Sequence, residues 1–102
     1  MRIEDKLKDC IGFDWDHGNG EKNWIKHQVT QIESEQVFLN GPVIAESTDQ
    51  ELKEIRFLAL GMTNKNRSLT VIFTVRKNLI RVISARNMSK KERSFYEQKE
   101  NT

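Results

Sequence analysis

The sequence predicts an α+β fold: an antiparallel sheet of about four strands, two N-terminal helices and a C-terminal helix. Three observations carry this. Apolar residues recur at helical spacing before residue 42 and at period two after it. Two capping boxes, Thr30-x-x-Glu33 and Ser89-x-x-Glu92, mark a helix start on each side of that change. The turn signal Asn40-Gly41-Pro42 divides the two regions. At 102 residues the chain suits a single domain, 1–102, with enough core to fold without a metal or disulfides.

Taken in order, Ile3, Leu7, Cys10 and Ile11 fit a short N-terminal helix. Ile11 to Trp15 alternates as a half-buried strand does. Asp16 is the expected N-cap of a helix running to His27, its first turn weakened by Gly18 and Gly20. Thr30 starts the second helix, with Ile32, Val37 and Phe38 as its buried stripe. Strands follow at Val43 to Ala45, Ile55 to Met62, Leu69 to Val75 and Leu79 to Ala85. Thr63 to Ser68 and Lys77-Asn78 are the turns between the last three. Ser89 caps the final helix, docked by Phe95 and Tyr96.

Composition narrows the function classes. No apolar run is long enough to span a bilayer, and Met1 to Cys10 lacks an apolar signal core, so a cytoplasmic protein is expected. Cys10 stands alone, which excludes an internal disulfide and a cysteine metal site. His17 and His27 have no further ligand pattern, so neither metal nor cofactor is expected. No nucleophile elbow, phosphate loop or dinucleotide fingerprint is present. The net charge of +2 conceals an asymmetry. Residues 1–54 carry 6 Lys/Arg against 12 Asp/Glu, and residues 55–102 carry 11 against 3. A basic half attracts polyanions: nucleic acid, an acidic protein, or both.

The cations are therefore the candidate chemistry. Arg56, Arg76, Arg81 and Arg86 fall on or beside strands. A guanidinium binds phosphate through two parallel hydrogen bonds and keeps its proton. Several together can stabilise the dianionic phosphorus formed when an RNA 2′-hydroxyl attacks its neighbouring phosphate. Lys26 could stabilise charge or move a proton there. His27, after Lys26 at a helix end, reads first as a helix-terminal partner. Pairing of Arg76 with Leu79 across the turn sets Arg81 on the face of Arg76. Arg81 and Arg86 are five apart, so a regular strand sends them to opposite faces unless a bulge intervenes.

Four motifs in order resemble the BrnT family, ribonuclease toxins of type II toxin–antitoxin pairs, related in fold to the RelE toxins. They are Phe13-Asp14-Trp15-Asp16 with Asn23 and Lys26-His27; Glu54-x-Arg56-Phe57 with Leu60-Gly61; Phe73-Thr74-x-Arg76; and Arg81-Val82-Ile83-Ser84-Ala85-Arg86 with Glu92-Arg93 and Tyr96-Glu97. The resemblance implies a RelE-like fold and metal-independent RNA cleavage. It also implies neutralisation by a BrnA-like antitoxin with a DNA-binding part, whose complex binds operator DNA. It carries Lys26, His27, Glu54, Arg56, Arg76 and Arg86 over as site residues. Acid–base chemistry, not the resemblance, points to Lys26 or Glu54 for proton transfer and to the arginines for phosphate. The sequence departs from the family at Gln28, where glycine is usual, and at Asn19, where lysine is frequent. Residues 1–10 read as an N-terminal extension. The alternative is a non-catalytic module that binds nucleic acid or an antitoxin.

Overall fold

The computed structural model describes residues 3–47 and 55–101. Its elements run α1 (Ile3–Lys8), β1 (Gly12–Phe13), α2 (Lys22–His27), α3 (Gln31–Leu39), β2 (Val43–Glu46), β3 (Phe57–Met62), β4 (Ser68–Arg76), β5 (Leu79–Asn87) and α4 (Lys90–Glu100). The class is α+β, as the change of period implies. The sheet has five strands in the order β1-β5-β4-β3-β2.

That sheet corrects two expectations. It is mixed, not antiparallel, because β1 runs parallel to β5. The chain passes along the outer edge of β5, where Ile11 N–H donates to Asn78 O and Asp14 N–H to Ile80 O. The sheet also has five strands, not about four. The short N-terminal helix expected around Ile3 and Leu7 forms as α1, so three helices precede β2 where the fold class counted two.

Both capping boxes are formed, with the Thr30 and Ser89 side chains each accepting from a glutamate N–H three residues on. The Lys77-Asn78 turn has φ of 52° and 63°, the doubly left-handed geometry that matches strand twist in a two-residue hairpin. It pairs Arg76 with Leu79, as expected.

One face of the sheet holds the core. Leu69, Val71 and Phe73 of β4 point there with Ala59 of β3 and Ile80, Val82 and Ala85 of β5. α3 closes it with buried Val37 and with Phe38, whose ring meets Phe73 edge-on at 4.9 Å. Ile32 does not join this stripe and is 67% exposed. Ser34 turns inward instead and returns its hydroxyl to Thr30 O, so a small residue lets the helix approach.

The opposite face is covered only in part. α4 packs over the β2–β3 end and buries Leu60, leaving the β4–β5 end to polar side chains. Phe95 does not dock α4 firmly: it is 39% exposed beneath the Lys99 ammonium. Tyr96 is half-buried, and burial pushes its hydroxyl pKa up.

Asp16 caps a turn, not the expected long helix. Its carboxylate accepts from Gly18 and Asn19 N–H, and α2 begins only at Lys22. Glycines at 18 and 20 make the intervening stretch a poor helix former.

Candidate active site

The partly open face is where the cations meet, and a β-bulge arranges it. Strand pairing runs regularly from the turn to Phe73↔Val82 and then shifts, so that Ile72 pairs with Ser84 and Ile83 has no partner. One extra residue lets Val82 and Ala85 both face the core. It also brings Arg86 opposite Thr70 while Arg81 stays opposite Thr74. Residues 70 and 74 share a face, so Arg81 and Arg86 do too. The expectation of opposite faces for a regular strand gives way to the bulge.

Arg56 from the approach to β3, Arg76 from the end of β4 and Arg81 from β5 line one pocket of about 220 Å³ with Lys22, Asn19 and Ile83. Arg56 Nε is buried there with no hydrogen-bond partner. Thr74, between Arg56 and Arg81 in the sheet, donates to Ile55 O at 3.0 Å and holds the Arg56 segment down. Arg81 Nη1 lies 2.9 Å from Asp16 Oδ2 and 3.4 Å from Asp14 Oδ2. The hydrogen bond to Asp16 raises the Arg81 pKa, and the same bond holds Asp16 below the usual carboxylate range.

Side chains of the first helical region seal the edge of β5 beyond β1. Asn19, only 3% exposed, donates to Val82 O at 2.8 Å and Asp14 O at 3.0 Å and accepts from Asp16 N–H. Asn23 Oδ1 accepts from Ala85 N–H at 3.0 Å. Lys22 Nζ reaches Ile83 O at 3.4 Å.

The other expected residues are dispersed. Arg86 shares the face but is held by Glu92, through Nη1–Oε1 at 2.7 Å and Nη2–Oε2 at 2.8 Å. Lys26 is exposed, one turn beyond Lys22. His27 ends α2, in keeping with a helix-terminal role; its carbonyl accepts from Arg67 Nη2 at 3.1 Å. Glu54 lies outside the described residues.

Arg67, read from sequence as a turn residue, ties α2 to α3. It donates to Gln28 O at 2.7 Å and pairs with Glu33 at 3.2 Å. Lys22 and Asn19, which line the same pocket as Arg81, are not among the sequence candidates; Arg81 is a candidate cation in the sequence, though not one that the resemblance carries over. The available signal was apolar Val82 and Ala85 three apart in an otherwise alternating strand.

Among the described residues, no group of three His, Cys, Asp or Glu is placed to hold a metal ion. No helix there is long and apolar enough to cross a membrane. A larger cavity, about 650 Å³, is apolar and lies between α1, β1 and α3, away from the arginines.

The chain matches the family model of BrnT, the ribonuclease toxin of a type II toxin–antitoxin system, over residues 15–92. It belongs to the BrnT family. No curated protein matches it. The BrnT match spans Lys22, all four arginines of the partly open face and Glu92. Membership of a type II family implies an antitoxin partner.

Proposed function

We propose that this BrnT protein is an endoribonuclease that cleaves RNA by internal attack. The 2′-oxygen forms a bond to the adjoining phosphorus and the bond to the 5′-oxygen breaks. A 2′,3′-cyclic phosphate and a 5′-hydroxyl result. The attacking hydroxyl loses a proton and the leaving oxygen gains one; Lys26 or Glu54 is our assignment for these transfers, on acid–base chemistry. Arg56, Arg76 and Arg81 hold the charge that builds on phosphorus, in place of a metal ion.

One observation supports this most. Arginines from β4, β5 and the lead-in to β3 converge on one small pocket, where Arg56 Nε has no protein partner among the described residues. A buried guanidinium N–H without an acceptor is costly, and a phosphate oxygen would satisfy it. In this reading the protein acts in the cytoplasm, and a BrnA-like antitoxin neutralises it and carries the complex to operator DNA.

The test is cleavage of RNA by the purified chain, in chelator, with Arg56→Ala and Arg81→Ala beside it. Each variant should lose about a hundredfold in rate, the scale of one oxyanion donor. Arg56→Ala should lose about 0.5 kcal/mol or less in stability; Arg81→Ala should lose more, because it also leaves Asp16 and Asp14 without their guanidinium partner. Undiminished cleavage in both variants would remove the site, and a non-catalytic binding module would then be the better account.

A further inference from the structure

We infer that Lys22 is a further catalytic residue, its ammonium contacting the phosphate beside the three arginines. This rests on the ribonuclease reading above. Lys22 lines the same pocket, and among the described residues its ammonium makes one hydrogen bond, the 3.4 Å approach to Ile83 O. An ammonium has three donors, so that weak contact leaves capacity for a ligand oxygen.

The position of Lys22 is fixed although its side chain is exposed. Buried Asn19 and Asn23 flank it in sequence, and each is bonded to the backbone of β5, at Val82 and Ala85. The lysine stem therefore leaves the backbone at a set distance from the bulge at Ile83 and from Arg81 two residues before it. Lys26 lies four residues further along the helix, roughly 6 Å away, and is not among the lining residues.

Electrostatics makes this an unfavourable place for a lysine that serves only solubility. It stands at the first residue of α2, where the helix dipole disfavours a cation, and shares its pocket with Arg56, Arg76 and an Arg81 that Asp16 and Asp14 already partly neutralise. A bound phosphate relieves that repulsion. Removing Lys22 should accordingly cost no stability while costing function, a combination that a structural lysine does not give.

The experiment compares the intact protein with Lys22→Ala, Lys22→Arg and, as a charge control in the exposed β3–β4 turn, Lys65→Ala. Cleavage rate, melting temperature and salt-dependent affinity for a 2′-O-methylated RNA, which cannot be cut, are measured. Lys22→Ala should cleave about 100-fold more slowly, with an unchanged or higher melting temperature. Its salt slope should fall by about one phosphate contact. Lys22→Arg should retain most activity, and Lys65→Ala should stay within about threefold of wild type. If Arg56→Ala abolishes cleavage but Lys22→Ala matches wild type in rate and slope, the ribonuclease reading stands and the Lys22 assignment falls. If the intact protein cuts no RNA, the ribonuclease reading falls. The slope then decides the contact alone, an unchanged slope overturning it and a reduced one upholding it.

Discussion

Glu92 holds α4 to the sheet, and acid should undo that hold in a defined window. Its Oε1 accepts from Arg86 at 2.7 Å, Thr70 at 2.9 Å and Ser89 N–H at 2.8 Å, while Oε2 takes a second bond from Arg86 at 2.8 Å. The Arg86 bonds, chiefly, pull its pKa from the ordinary 4.5 down to about 2. A depressed carboxylate contributes stability above its unfolded pKa and loses it as pH falls towards the folded value. The window is thus 4.5 down to about 2. At 1.36 kcal/mol per unit the whole shift would amount to about 3 kcal/mol. Arg86 is 35% exposed, so solvent screening reduces this to about 1–2 kcal/mol. Chemical denaturation of wild type and Glu92→Gln at steps from pH 7 to pH 2 measures it. The variant should be less stable by about 1–2 kcal/mol at neutral pH, with the gap closing below pH 4.5. Other depressed carboxylates, Asp16 and Glu33, titrate in both proteins and cancel from the difference. Two stability curves that stay parallel down to pH 2 would refute the assignment of this energy to Glu92.

Two further outcomes follow from backbone geometry. Gln28 follows α2 with φ 52°, where its N–H donates to Trp24 O, so Gln28→Gly should relieve left-handed strain. A net gain of about 0.5–1 kcal/mol should raise the melting temperature by several degrees in a thermal scan; a fall would count against that strain. A Cβ on Gly20 would sit 2.6 Å from Asp16 O, so Gly20→Ala should displace the turn that carries Asp16. Thermal denaturation should show a loss of about 1–3 kcal/mol, and an unchanged melting temperature would argue against that close approach.

The hairpin and both capped helices were legible because their signals are local. A two-residue turn fixes its own pairing, and a capping box is complete within four residues. What escaped was decided at a distance. The direction of β1, a strand of two residues, follows from the chain running beside β5. Counting by twos along β5 failed at Ile83, because the core needs both Val82 and Ala85 and the bulge supplies them. In α3 either Ile32 or Ser34 could have marked the inward side, and packing chose the smaller. Arg56 and Arg76 were found as cations on strands and do share a pocket. Lys22 joins them through two buried asparagines that bond strand backbone, and no spacing rule announces such contacts.

The two margins of the sheet differ in what they offer another chain. Along β5, peptide groups beyond the short β1 pairing are taken up by Asn19, Lys22 and Asn23 side chains, so an incoming strand would find few unspent donors or acceptors. Along β2 no described strand pairs with the outer side. That stretch is four residues, Val43–Glu46, about 14 Å of ladder, and it begins just after Pro42 and ends on a carboxylate. So short a run, charged at one end, supports little stacking of copies edge to edge. Of the two margins, strand addition by any partner is confined to the one away from the arginine pocket.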